Sequence, residues 1–192
     1  FVFYERMLNL RIVFDRGAFT THLIRNMSVV GCRLGEVERT EVLLDLSSAN
    51  ITWEGGTHAL AYSYAYLAFA RQDFSSALRH LQDLEFVDPF YRTGHQTLLL
   101  RVYYELEMIE SLLALIPTYR RYLNRNKVLS ERQKNRNRRF LSILYRLVRA
   151  REKGRSPMRL AEIREILDEE GELTDPQWLS EKWEELSSRL TP

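Results

Sequence analysis

Cysteine, glycine and proline are all scarce in this chain of 192 residues, which contains one cysteine, eight glycines and five prolines. Cys32 by itself can form neither an intramolecular disulfide nor a cysteine-based zinc cluster, so a reducing, cytoplasmic compartment is the simplest expectation. The low glycine and proline content, with no long apolar–polar alternation, argues against a strand-rich fold. No apolar run reaches the roughly 18 residues of a membrane-spanning helix. The sequence therefore predicts an all-α protein without a membrane span.

Charge of the two signs is nearly balanced overall but unevenly distributed along the chain. The formal net charge is +2. Between Thr118 and Arg155, however, 14 lysines and arginines stand against two acids, Glu131 and Glu152, while the remainder carries 14 basic and 24 acidic residues. A strongly basic segment therefore lies within an acidic chain.

A helical repeat is the clearest pattern that is present. Between Leu60 and Pro89, several residues fall at the spacings of a helix–turn–helix unit of about 34 residues; they are Ala65, Phe74, Ala77, Leu81, Leu84 and Pro89. Taking Thr40, Ala77 and Leu112 as equivalent positions of three second helices gives intervals of 37 and 35 residues. Three imperfect copies are predicted.

Small residues at facing positions explain how the two helices of such a unit approach closely. Ser28 faces Thr40 in the first copy, and Ala65 faces Ala77 in the second. The third copy has leucines at both positions, which predicts a wider crossing.

We expect Asp88-Pro89 to stop a helix over 74–87, because proline lacks an amide donor. The next helices are expected over 93–106 and 109–123.

The chain resembles the tetratricopeptide-repeat superfamily, and it is similar to bacterial members in three stretches: Phe74 to Leu78, Leu98 to Leu106 with Arg120 to Lys127, and Asp175 to Leu179. The resemblance implies a right-handed α-solenoid of about three hairpins (20–52, 57–91 and 93–126) and a scaffold role without catalysis. An N-terminal helix (1–19) and a long basic helix with two capping helices (128–192) flank the repeats. Since the chain begins at Phe1 and not at methionine, further repeats or a targeting segment upstream of it are left as alternatives. An unrelated helical array is the alternative.

A partner is expected on the concave face, which the first helices of such hairpins line. Tyrosine and arginine anchor many interfaces because each combines a large contact area with a polar end. An acidic protein or peptide segment is the favoured partner. The predicted contact residues are His22, Arg25, Arg33, Tyr62, Tyr66, Phe69, Arg101 and Tyr104. The alternative is that the aromatic stripe is helix core.

The basic segment suggests a second partner class. Arrays of cations bind phosphate backbones through counterion release, so nucleic acid or another polyanion is the alternative ligand. The candidate residues are Arg120, Arg121, Arg125, Lys127, Arg132, Lys134, Arg136, Arg138 and Arg139. A solvated surface is the competing interpretation, in which acids between Glu162 and Glu170 fold back against the basic helix. Ser130 is expected to cap that helix.

Catalysis is not expected. The four histidines are scattered without a helical pair, Cys32 lacks flanking basic residues, and Gly55-Gly56 is too short for a phosphate loop. We therefore predict no catalytic residue, no metal site and no cofactor.

The last helix, with an apolar stripe that includes Leu179, Trp183 and Leu186, is expected to cap the array; docking onto a partner is the alternative.

Overall fold

A computed structural model describes residue 6 and residues 21–48, 51, 54–82, 84, 88–152, 156–169 and 171–188. Every regular element in these ranges is an α-helix, as predicted. None of these helices is long and apolar enough to cross a membrane. The N-terminal helix predicted within 1–19 lies outside the described residues, except for position 6. The helices are α1 Thr21–Arg33, α2 Val37–Ser48, α3 Glu54–Ala70, α4 Phe74–Leu81, α5 Pro89–Glu105, α6 Ile109–Arg125, α7 Glu131–Glu152, α8 Pro157–Asp168 and α9 Pro176–Ser188.

The chain forms two compact units, Phe1–Leu106 and Glu107–Pro192. The first contains α1 to α5, and the second contains α6 to α9. The boundary between them falls inside the third predicted hairpin, 93–126. The division into 1–19, 20–127 and 128–192 stays a prediction.

Successive helices of the first unit pack as neighbouring pairs. α1 contacts α2 and α3, α3 contacts α4, and α4 contacts α5. The small residues predicted at the helix crossings, Ser28, Thr40, Ala65 and Ala77, are all fully buried. The Ser28 hydroxyl donates to Ile24 O at 2.8 Å and the Thr40 hydroxyl to Glu36 O at 2.6 Å. Both hydroxyls are thus hydrogen-bonded to a carbonyl four residues earlier, which offsets the cost of burying the two oxygen atoms.

Three turns of the same handedness precede α2, α4 and α6. Gly35, Gln72 and Glu107 have φ angles of 75°, 61° and 57°. In the first two turns, the Glu36 N–H donates to Gly31 O and the Asp73 N–H to Ala68 O, both at 2.9 Å, which satisfies carbonyls at the helix end. The three left-handed residues recur at intervals of 37 and 35, each five residues before Thr40, Ala77 or Leu112. The turn geometry therefore repeats in the register that the sequence predicts.

The bounds of α4 and α5 differ from those that the sequence predicts. α4 ends at Leu81, not at 87, and α5 begins at Pro89, not at 93. The Asp88 carboxylate accepts from the amides of Phe90 and Tyr91 at 2.7 and 3.1 Å, so Asp88-Pro89 starts a helix instead of stopping one. Aspartate before proline is a favoured helix start, because it caps free amides and proline needs no donor there.

In the second unit, α7 is the central helix and contacts α6, α8 and α9. Its predicted apolar residues are fully buried: Phe140, Leu141, Leu144, Leu147 and Val148. Ser130 caps α7 as predicted. Its amide donates to Gln133 Oε1 at 2.9 Å, and the Gln133 amide donates to Ser130 Oγ at 3.2 Å. This reciprocal pair is a capping box.

The last helix packs within the second unit. Trp178, Leu179 and Leu186 on α9 are buried, and the Trp183 indole N–H donates to Leu160 O of α8 at 2.7 Å. The apolar stripe of α9 therefore faces α7 and α8. An ion pair joins Arg151, near the end of α7, to Glu107 at the start of the same unit.

Candidate functional site

Six of the eight predicted partner-binding residues, without Arg33 and Tyr104, come together with Tyr91 in the first unit. We call this group the aromatic–arginine cluster: His22, Arg25, Tyr62, Tyr66, Phe69, Tyr91 and Arg101. Tyr91 lies at one end of it. Its ring centroid is 5.6 Å from that of His22 and 6.0 Å from that of Tyr62, and the Arg25 guanidinium carbon is 5.5 Å from the Tyr91 ring. Such spacings are those of favourable aromatic and cation–π contacts.

Arg101 lies at the other end of the cluster. Its guanidinium carbon is 4.1 Å from the centre of the Phe69 ring and 5.9 Å from that of Tyr66. Only 7% of Arg101 is exposed. The charge is therefore held largely out of water against aromatic faces, where a cation–π contact is stronger than at an exposed site.

The predicted residues differ in accessibility. Tyr62, Tyr66, Phe69 and Tyr104 are buried, with Tyr62 only 2% exposed, so the aromatic stripe forms interior between helices. This burial agrees with the alternative interpretation, in which the aromatic stripe belongs to the helix core. His22 and Arg33 are exposed and Arg25 is half-buried. Of the predicted residues, only His22, Arg25 and Arg33 of α1 are therefore accessible at the surface.

Gly94 sets the distance between α5 and the rest of the cluster. A Cβ at this position would lie 2.9 Å from the Tyr62 hydroxyl oxygen and 3.1 Å from Arg25 Nη2. The Tyr62 hydroxyl and the Arg25 guanidinium therefore occupy the space that a side chain at position 94 would need. Neither Gly94 nor Tyr91 was predicted from the sequence as a site residue. Placing the start of α5 at Pro89 would have put them on the first two turns of that helix.

Among the residues that the structure describes, two nitrogen atoms of the cluster, Arg25 Nε and Arg101 Nε, are buried with an unmet hydrogen bond, and of these two residues only Arg25 is half-exposed. His22 Nε2 lies 3.6 Å from Asp88 Oδ2, so an acid is present beside the exposed histidine. An unmatched buried donor favours an added acceptor, because leaving it unsatisfied costs about 1–3 kcal/mol.

The thiol and two further histidines, His80 and His95, have structural surroundings. Burial raises the pKa of the Cys32 thiol to about 11, which keeps it protonated and poorly nucleophilic at neutral pH. Burial also lowers the pKa of His80, which stacks on Tyr64. His95 has its pKa lowered by burial, and its Nε2–H donates to Leu81 O at 3.0 Å. Within the described ranges, no group of three His, Cys, Asp or Glu side chains is placed to hold a metal ion.

Four of the nine basic residues proposed for polyanion binding are engaged inside the second unit. Lys134 Nζ lies 2.8 Å from Glu131, Arg138 donates to Glu131 and to Asn124, and Arg132 pairs with Glu172. Arg139 Nη2 donates to the carbonyls of Ile166 and Glu169 at 3.1 and 3.2 Å, at the C-terminal end of α8. These contacts hold the pKa values of Glu131 and Glu172 below their usual range.

The acids that were expected to fold back against α7 do so in part. Glu162 pairs with Arg146 at 3.3 Å, and Glu169 lies 3.7 Å from Arg139. Asp168 instead pairs with Arg164 of its own helix. Glu170 lies outside the described residues. The other five basic candidates, Arg120, Arg121, Arg125, Lys127 and Arg136, are exposed.

No protein-family model matches the chain, and comparisons with curated proteins and with solved structures likewise find no match.

Proposed function

We propose that the first unit is a non-enzymatic scaffold that binds a protein segment rich in acidic residues. The proposal depends on one observation above all. Arg25 stands half-exposed beside Tyr91, and its Nε is buried without an acceptor in the described part of the chain. Once the flexible Arg25 side chain turns its Nε–H outward, a carboxylate of a bound segment would supply that acceptor, and charge-assisted bonds from arginine to carboxylate are among the stronger ones in proteins.

The repeated hairpin geometry supports this assignment. Helical hairpins stacked at a period near 34 residues build right-handed solenoids whose first helices form a binding face. The left-handed turns at Gly35, Gln72 and Glu107 recur at similar intervals, and the small residues predicted at the crossings of the first two hairpins are buried. We therefore propose that α1 and α3 line the face, with the aromatic–arginine cluster as its rigid floor.

The burial of the aromatic side chains refines the proposed contacts. Tyr62, Tyr66, Phe69 and Arg101 stiffen the floor, whereas His22, Arg25 and Arg33 reach the ligand. A rigid floor lowers the ordering cost of binding, since its side chains are already fixed before the ligand arrives. Substituting Arg101 with glutamate would bury an acid among aromatic rings, so it would test folding and not binding.

A peptide-binding measurement tests the proposal. We would titrate fluorescent glutamate- and aspartate-rich peptides into the full chain and follow the anisotropy. The double variant Arg25→Gln, Arg33→Gln should weaken binding at least tenfold. The matched control, Arg39→Gln with Arg79→Gln, alters two exposed arginines on second helices and should bind normally. If both variants bind alike, or if no acidic peptide binds the unaltered chain, the proposed face is wrong.

A further inference from the structure

The acids of the second unit leave one group of cations without a counter-charge. Glu131, Glu162, Glu169 and Glu172 pair with arginines and lysine of α7. Arg136 of α7 has no ion pair of its own with a described carboxylate but lies close enough to Glu172 to help Arg132 lower the pKa of that carboxyl. We call the remaining cations, on α6 and in the loop after it, the basic turn: Arg120, Arg121, Arg125 and Lys127. No carboxylate of the described residues forms an ion pair with any of the four, and Arg121 donates only to the neutral hydroxyl of Thr118 at 3.3 Å. Internal pairing therefore explains the basic helix α7 but not the basic turn.

The basic turn sits on a fixed piece of backbone. Arg120, Arg121 and Arg125 lie on the last turns of α6, and Lys127 lies in the loop that follows. In that loop, Asn126 Oδ1 accepts from the amides of Val128 and Leu129 at 2.9 and 2.8 Å, and Asn126 Nδ2 donates to the Tyr122 hydroxyl at 3.1 Å. Leu129 is buried and anchors the loop. The cations are thus presented by an ordered hairpin end.

Helix electrostatics explain only part of this charge. The negative end of the α6 dipole favours cations in its last turn, where Arg125 lies. Lys127 lies beyond that turn. Arg121 and Arg125 are four residues apart, and like charges at this spacing destabilise a helix. The concentration of positive charge therefore works against the fold unless a bound anion offsets it.

The surroundings of the basic turn select the kind of anion. Protein interfaces need an apolar core, but from Arg120 to Val128 the only large apolar side chain that stands well exposed is Val128. Single-stranded nucleic acids need exposed aromatic rings for base stacking. Tyr122 is half-buried instead, with its ring stacked on Tyr119. Guanidinium groups match phosphate geometry in pairs of hydrogen bonds. We propose that the basic turn binds the phosphate backbone of a nucleic-acid duplex without reading its base sequence.

Salt dependence gives this proposal a quantitative test. For a DNA duplex, the slope of log K against log salt is about −0.9 for each phosphate neutralised, so four cations give a slope of about −3.6. Binding of the full chain to a fluorescent 20-base-pair DNA duplex would be measured by anisotropy at several salt concentrations. A second duplex of unrelated sequence, a single strand and a poly-glutamate peptide serve as competing ligands.

The variants separate local from overall charge. Replacing all four residues of the basic turn with glutamine should weaken duplex binding at least tenfold and flatten the slope. A control with the same change in net charge, Arg39, Arg79, Arg92 and Arg159 to glutamine, should keep the slope. Helical circular dichroism checks folding. If the fourfold variant unfolds, Arg125→Gln with Lys127→Gln should reduce the slope by about 1.8.

Several outcomes would overturn the proposal. The first is no duplex binding at low salt, and the second is an equal loss in the variant and its control. In the Arg25→Gln, Arg33→Gln variant, displacement of the duplex by poly-glutamate as efficiently as by unlabelled duplex would assign the basic turn to an acidic protein. A tenfold difference between the two duplexes would reject binding that ignores sequence. None of these results bears on Arg25, so the two proposals fail independently.

Discussion

Gly94→Ala should destabilise the protein, although alanine is the better helix former. In an unobstructed helix the substitution stabilises by about 1 kcal/mol. Here the new methyl group would lie 2.9 Å from the Tyr62 hydroxyl oxygen, closer than such atoms approach in proteins. Arg25 can swing away, because its side chain is flexible and half-exposed. The ring of Tyr62 cannot, because it is 2% exposed and held between Tyr66 and Tyr91.

The magnitude follows from these opposing effects. Overpacking of an interior typically costs about 1–3 kcal/mol. After subtraction of the gain in helix propensity, we expect a net loss of about 1 kcal/mol in the free energy of unfolding. Urea denaturation followed by circular dichroism measures this change from the transition midpoint.

A double-mutant cycle identifies the responsible atom. Tyr62→Phe deletes the hydroxyl oxygen, so Gly94→Ala should lose its overpacking cost in that background, with a coupling of about 2 kcal/mol. The cycle removes the separate effect of any hydrogen bond that Tyr62 makes. A stabilising Gly94→Ala in the unaltered protein would show that α5 and Tyr62 are not in close contact, and the cluster geometry would then be incorrect.

Two further predictions concern His95 and Arg139. Because burial lowers the pKa of His95 in the folded state, the unfolded chain binds the proton more readily, and the free energy of unfolding should fall as the pH drops below about 6.5. His95→Gln keeps a donor for Leu81 O, so urea titrations of this variant at pH 5 to 8 should show a weaker pH dependence. An unchanged pH dependence would refute this role of His95. Arg139→Gln should lower the stability of the second unit by about 2 kcal/mol, since charged hydrogen bonds to two carbonyls at the end of α8 are lost. Duplex binding should be unaffected by that substitution, and a matching loss of binding would instead place Arg139 in the phosphate contact.

Helix positions were predictable where a local signal agreed with the apolar pattern. Ser130 caps the start of α7 as predicted, with Gln133 as its reciprocal partner, and the apolar residues spaced along that helix are buried. The failure at Asp88-Pro89 has a specific cause. The same two residues can end one helix or begin the next, and only tertiary contacts, such as the bond from His95 to Leu81 O, fix where α4 stops.

The sequence predicts which residues of the candidate site share a helix face, but not which of them are exposed to solvent. Spacing along α3 correctly places Tyr62, Tyr66 and Phe69 on one stripe. Whether such a stripe faces solvent depends on which helix covers it, and that information lies in α5, tens of residues away. Pairing of charges is likewise non-local. Arg132 and Arg139 find partners about 30 to 40 residues along the chain, which no spacing rule in the sequence reveals.

The ion pair between Glu107 and Arg151 has a practical consequence for dissecting the molecule. A fragment that starts at Ile109 would keep all of α6 but leave the Arg151 guanidinium without its acid, at the far end of the longest described helix. Expression of the C-terminal half on its own should therefore begin at Glu107 or earlier. The N-terminal half can stop at Leu106 with every one of its described helices whole.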